Sequence, residues 1–201
     1  MAEKKEKEKN YHFFAFMARL KLIHRWGLMK SIQEENVAEH TTQVAQIAHA
    51  LAVIRNKCFG GQLDPGKVAV LALYHESGEV LTGDLPTPIK YYNEEIKGAY
   101  KAIEARAETK LLGTLPEELR EEYEPLVHAP VDTYEHILVK AADKLAAYIK
   151  CLEELRLGNK EFSRAARSLE REVAQYRKYE EVNWFCERFL DSFSLTLDEM
   201  E

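Results

Sequence analysis

Val68-Ala69-Val70-Leu71-Ala72-Leu73-Tyr74 is apolar at every position, between Lys67 and the polar pair His75-Glu76. A helix apolar all round has no face to offer water, so it belongs in the middle of a bundle. The pattern predicts that helix over Lys67 to about Val80, opened by Asp64 as an N-cap and Pro65 in the first turn. The flanking chain supplies amphipathic partners. Phe13, Phe14, Met17, Leu20 and Ile23 recur at three- and four-residue spacing between Tyr11 and Trp26. A polar, extended stretch from Gly27 to about Asn36 precedes a helix from Val37 to about Arg55, with Val44, Ile47, Leu51 and Ile54 on one face. Gly60-Gly61 breaks the chain, and Pro86 and Pro88 exclude helix from the loop after Gly83. Helices are expected from Glu94 to about Leu112, and from Leu115-Pro116-Glu117-Glu118 onward. Asp132-Thr133-Tyr134-Glu135 has capping-box spacing and opens a long helix to about Leu157. Asn159 to Phe193 reads as one or two helices interrupted near Asn183. No segment alternates as a strand does. The expected class is all-α: a compact bundle with a buried central helix, one domain over 11–201 behind a charged tail at 1–10.

Composition narrows the function classes. Lys+Arg is 28 and Asp+Glu 34 in 201 residues, a formal charge of −6. That balance argues against a nucleic-acid polymer or an anionic membrane as partner, while leaving room for a local cationic pocket that takes one phosphate. Cys58, Cys151 and Cys186 are far apart with no CxxC pairing, which reads as reduced thiols in a cytoplasmic protein. Met1 to Lys9 alternates Glu and Lys and is no signal peptide, and no stretch approaches the ~18 apolar residues of a membrane span.

Functional candidates are polar residues where the pattern demands apolar ones. His40 precedes Val44, Ile47 and Leu51 by 4, 7 and 11 residues, so it points inward with them. His75 and Glu76 end the apolar helix, and Glu79 follows His75 by one turn, on the same face at ~100° per residue. Asp143 interrupts Ile137 to Ala147 beside Val139, Ala146 and Ala147, and should be at least half buried. Buried charge requires a partner. Two histidines and two carboxylates from three helices suit a divalent first-row transition metal, and the absence of thiolates favours a catalytic over a structural ion. Each residue also has an ordinary reading. A histidine on an apolar face is commonly a hydrogen-bonded core residue, Asp143 can pair with Lys140 or Lys144, Asp84 can cap a turn, and Arg25-Trp26 can end a helix.

Tyr74-His75-Glu76-Ser77-Gly78-Glu79-Val80-Leu81-Thr82-Gly83-Asp84-Leu85-Pro86-Thr87-Pro88 resembles the central segment of the HD-domain phosphohydrolases, in their bacterial 5′-deoxynucleotidase (YfbR-like) branch. Arg19 to Trp26, Glu35 to His40, Val139 to Asp143 and Ser192 to Glu199 resemble further family segments in the same order, so the likeness spans nearly the whole chain beyond the tail. The resemblance implies an all-α HD bundle, usually a homodimer, that hydrolyses deoxyribonucleoside 5′-monophosphates to deoxynucleoside and phosphate. It implies one divalent metal ion, with Co, Mn or Zn ahead of Mg, held by His40, His75, Glu76 and Asp143. It implies that Arg25 orients the phosphate, that Trp26 and the loop Asp84, Leu85, Pro86 and Thr87 contact the nucleotide, and that Glu79 is a catalytic carboxylate. His40, Glu76 and Asp143 would touch substrate as well as metal. Trp26 would offer a flat surface beside the nucleoside with its indole N–H available as a donor.

The chain departs from the family at one place. The family's hallmark is His-Asp, and here it reads His75-Glu76. The competing readings are another HD phosphohydrolase, acting on a ribonucleotide, a cyclic dinucleotide or an alarmone, and a nucleotide-binding regulator whose catalysis Glu76 impairs.

Overall fold

The computed structural model describes residues 10–90 and 92–200. The expected charged tail lies outside the described residues except for Asn10, as do the side chains of Thr87 and Pro88. The helices run α1 (Phe13–Met17), α2 (Val37–Cys58), α3 (Pro65–Tyr74), α4 (Glu79–Thr82), α5 (Thr87–Lys90), α6 (Glu94–Leu112), α7 (Glu117–Val127), α8 (Tyr134–Arg156), α9 (Ser163–Tyr176) and α10 (Glu180–Phe189), with short 3₁₀ turns between α1 and α2, between α8 and α9, and after α10. No strand forms among the described residues; the sole β feature there is an isolated antiparallel bridge between His24 and Asn36. No helix among them is long and apolar enough to cross a membrane.

Helix α2 starts where Asn36 accepts the Glu39 amide and Glu39 returns the contact, a capping box. Its inward face, Val44, Ile47, Ala48 and Leu51, packs on Val68, Leu71 and Ala72 of α3 and on Leu138, Ala142, Leu145 and Ile149 of α8, with Val182 and Phe185 of α10 closing the core. Tyr134 donates to the buried Glu181 at 2.6 Å, and Arg55 lies 3.6 Å from the same carboxylate, joining α8, α10 and α2. A second cluster, Phe13 with Leu111, Leu112, Leu115 and Val127, joins α1 to α6 and α7. Cys58 is exposed, Cys151 and Cys186 are buried, and all three are free thiols.

The all-α bundle stands, with five corrections in detail. Pro86 and Pro88 do not exclude helix from the loop after Gly83: α5 spans Thr87–Lys90 with Pro88 in its first turn, where the missing N–H has no intrahelical partner to lose. The central element is not α3, where Val70 is 38% and Leu73 42% exposed; α2 and α8 carry the most buried faces. A single helix does not reach from Tyr11 to Trp26. It ends at Met17, a 3₁₀ turn covers Leu20–Leu22, and the chain extends from Ile23 because its backbone pairs with residues 35–37. Thr133, not Asp132, caps α8 by accepting the His136 amide. The break in the last helical region falls at Arg177–Tyr179, while Asn183 sits within α10 and accepts from Arg177 Nε at 2.8 Å.

Candidate metal centre

Helix α3 stops at Tyr74, and residues 75–79 wind in tight turns, the amides of His75, Ser77 and Glu79 donating to the carbonyls of Ala72, Tyr74 and Glu76. The helix expected through Val80 is therefore broken at the chemistry, and His75 and Glu76, consecutive in sequence, enter one space. His40 comes from α2 and Asp143 from α8. One ligand atom from each of His40, His75, Glu76 and Asp143 lies within 4.8 Å of the other three. His40 Nε2 is 3.0 Å from Asp143 Oδ1, His75 Nε2 is 3.4 Å from Glu76 Oε1, and His75 Nε2 is 4.0 Å from Asp143 Oδ1.

The donor set fits a divalent ion. His75 Nδ1 faces the Ala72 carbonyl at 2.7 Å, and a carbonyl can only accept, so Nδ1 carries the hydrogen and Nε2 presents a lone pair. Nε2 is buried and has no hydrogen-bond partner within the protein, an atom whose chemistry is unanswered without an ion. Burial, helped by His40 and Lys140, holds His75 below the usual histidine range against the pull of Glu76 and Asp143, keeping it neutral as ligation requires. Burial alone would raise Asp143. The hydrogen bond and charge of His40, then Lys144 and His75, outweigh it and hold the carboxyl well below the usual range. Burial likewise opposes the charge on Glu76, and His75, Lys140 and Arg25 overcome it. Ligands at ~2.0–2.2 Å from one ion stand at most about 4.4 Å apart, so the 4.8 Å spread closes with small shifts. The extra methylene of Glu76 does not remove it from the cluster.

The neighbouring wall is built differently. Residues 23–26 pair with 35–37: Arg25 N donates to Glu35 O at 2.9 Å and Val37 N to Ile23 O at 2.9 Å. One oxygen of Glu35, a buried residue, accepts both Arg25 Nε at 3.1 Å and Trp26 Nε1 at 2.8 Å. The indole N–H expected to be free for substrate is therefore committed to Glu35. Trp26 holds φ +59°, a left-handed conformation that costs a bulky side chain about 1–3 kcal/mol and persists only where the surroundings enforce it. Its ring packs on Phe162, centroids 5.3 Å apart. Burial works against the Arg25 charge, but Glu35, Asp143, Glu76 and Asp84 more than compensate and raise its pKa.

Glu79, at the start of α4, is buried, and its Oε2 has no hydrogen-bond partner. Burial first, then Glu76 and Asp84, push its carboxyl up to about 10. Gly83 turns the chain at φ +72°, open to glycine, and presents Asp84, which burial raises and Arg25 lowers. Asp84, Leu85 and Pro86 are half-buried, and beyond them Lys90 pairs with Glu104 of α6 at 2.9 Å. Sequence reasoning gave Glu35 no role of its own, because Gln33-Glu34-Glu35-Asn36 has the composition of a solvated loop.

Residues 12–193 match the YfbR-like 5′-deoxynucleotidases. A 5′-deoxynucleotidase of Vibrio cholerae is 55% identical over 190 residues, covering 94% of this chain and 97% of that protein. The chain belongs to the YfbR-like 5′-deoxynucleotidase family. The YfbR 5′-deoxynucleotidase of Shigella dysenteriae is 53% identical over 194 residues, covering 96% of each. An HD-domain phosphohydrolase from Listeria innocua has the same fold, with a TM-score of 0.80 at 22% identity over 90% of this chain and 88% of its own. So does the cyanophage S-2L HD phosphohydrolase DatZ, solved with dA and one catalytic Zn²⁺, with a TM-score of 0.66 at 21% identity over 89% of this chain and 96% of its own. Asp143 and Glu76 of the four-residue cluster are among the charges that raise the Arg25 pKa, so the cluster and the Arg25-Trp26 segment lie near one another.

Proposed function

We propose that the chain is a divalent-metal-dependent 5′-deoxynucleotidase that hydrolyses deoxyribonucleoside 5′-monophosphates to deoxynucleoside and phosphate. The observation that carries this reading is the convergence of four metal-competent side chains beside Arg25 in a YfbR-like chain. His40, His75, Glu76 and Asp143 would hold one ion, with Co, Mn or Zn ahead of Mg because imidazole suits first-row transition metals. Bound there, it supplies charge neutralisation for the phosphate and acidity for an attacking water.

The remaining residues bind, orient and move protons. Arg25 is gripped at Nε by Glu35, which aims the planar guanidinium so that its terminal nitrogens fork toward phosphate oxygens. Trp26, fixed at both its N–H and its ring, is a preformed flat surface for the nucleoside. The Asp84 to Thr87 loop reads the sugar edge. Glu79 handles the proton that must reach the leaving 5′ oxygen, from a water-poor position one turn beyond Glu76. Family membership supports two further parts of the reading, a homodimer and a cytoplasmic location, and light scattering of the purified protein tests the first.

The test is phosphate release from deoxyribo- and ribonucleoside 5′-monophosphates across Mg²⁺, Mn²⁺, Co²⁺ and Zn²⁺. Deoxyribonucleotides should be turned over with at least one transition metal, and Glu79→Ala should lower that turnover by ~10²–10⁴-fold while keeping the metal. No release under any metal sinks the reading; equal turnover of ribonucleotides sinks only the sugar selectivity.

A further inference from the structure

The segment that carries Arg25, Trp26 and Glu35 lies outside any helix longer than a turn, and its tip is tied to a distant part of the chain. The amides of Ile32 and Gln33 donate to the two oxygens of Glu154, at 2.9 and 3.0 Å. Lys150 Nζ donates to the Gln33 carbonyl and, at 2.6 Å, to Glu154. Asn159 Nδ2 donates to Glu154 at 2.7 Å and to the Lys30 carbonyl at 2.7 Å. The Glu154 carboxylate, 0% exposed, thus accepts four hydrogen bonds, two at each oxygen.

Well-packed apolar residues of the same volume would hold these elements together about as well as a buried ion pair does, so what the pair adds is directional position. Asp143, Lys150 and Glu154 stand 0, 7 and 11 residues along α8 and share a face. The helix that carries a metal ligand at one level therefore carries, three turns on, the anchor for the nucleotide wall. Phe162, beneath Trp26, belongs to the same corner, with Lys150 Nζ 5.9 Å above its ring. The left-handed Trp26 needs such enforcement, since its backbone would relax if the segment were free.

We propose that Glu154, assisted by Lys150, is a positioning residue for substrate binding: by tying residues 30–33 to α8 it fixes Arg25 and Trp26 relative to the metal ligands. The proposal rests on the 5′-deoxynucleotidase reading for its kinetic consequence, but not for its structural one. Metal binding does not depend on the tie, because none of the four ligands lies in the tied segment.

Glu154→Gln keeps the side-chain shape and one acceptor oxygen. In the metal-loaded enzyme, KM for a deoxyribonucleoside 5′-monophosphate should rise roughly tenfold or more, with metal stoichiometry unchanged. In a Trp184→Phe background Trp26 is the one remaining tryptophan of the two. Its emission should shift in Glu154→Gln as the Glu35 and Phe162 contacts loosen, with neither metal nor substrate present. Asn159→Ala removes one bond to Glu154, one to Lys30 and the cap it gives the Glu161 amide, and should give a smaller change in the same direction; it decides the matter if Glu154→Gln does not fold. Folded variants with wild-type KM and wild-type Trp26 emission overturn the proposal, as does metal loss in step with the rise in KM, which would make the role one of general stability. If the unmutated enzyme releases no phosphate, the functional reading fails, and the Trp26 emission alone decides the positional claim.

Discussion

The two halves of the site are made by different means. The proposed metal ligands ride on helices: His40 on α2, Asp143 on α8, and His75-Glu76 on the turn that ends α3. Each is placed by burial of apolar neighbours on its own element. The Arg25-Trp26 wall has no such scaffold. It is an irregular segment paired with residues 35–37 at its ends and held at its tip by a carboxylate 122 residues away. A centre on packed helices keeps its geometry through the core, whereas the wall keeps its geometry through a handful of directional bonds and the packing of Trp26 and Met29 on the cluster around Phe162. Metal binding and nucleotide binding should therefore fail separately.

The largest break is His75→Ala. Removing the proposed ligand whose Nε2 has no hydrogen-bond partner should empty the centre and lower turnover by at least ~10³-fold, read by elemental analysis beside phosphate release. A folded variant with full metal content would exclude His75 as a ligand. A smaller break is Glu35→Ala, which frees both Arg25 and Trp26. Hydrogen bonds to charged groups are worth ~1.5–3 kcal/mol, so KM should rise by about tenfold or more while metal content stays constant. Metal loss in that variant would show the two halves to be one cooperative unit.

The smallest effect is on stability against acid. Burial opposes the charge on Glu154, but Lys150, the Ile32 amide, Asn159 and the Gln33 amide outweigh it and hold the carboxyl down to about 2. A folded-state pKa below the unfolded one gives stability that is complete above about pH 4.5 and lost as pH falls toward 2. The contribution is on the order of 2–3 kcal/mol. Thermal unfolding followed from pH 5 to pH 2.5 should fall more steeply in the unmutated protein than in Glu154→Gln, and parallel curves would break the linkage.

The helix-borne half was legible in the sequence because burial leaves a period. The 4, 7 and 11 spacing that turned His40 inward holds in three dimensions, where His40 is fully buried among the residues it was grouped with. The same 7 and 11 offsets joined Asp143 to Lys150 and Glu154, so the anchor was readable too, had Lys150 and Glu154 been treated as inward-facing. The wall was not readable. An apolar period continuing to Ile23 suggested helix as far as Trp26, and the backbone pairing that overrides it involves residues with no periodic signal. Nothing in the identity of Glu35 separates it from the exposed Glu34 beside it. Nor did the run Val68 to Tyr74 disclose that α3 is covered on one side only.

The span between Ile32 and Glu154 also bears on how the molecule comes into being. During synthesis the first forty residues emerge with Arg25, Trp26 and His40 already present, yet the carboxylate that fixes the wall is made 122 positions later than the amide it receives. Contacts of that separation carry the largest loop-closure cost and form late. The core of α2 against α3 can assemble early from near neighbours, while the tie between residues 30–33 and Glu154 can form only after α8 and the turn at Asn159 have arrived. The proposed nucleotide surface is thus completed only once residues 150–159 have been made.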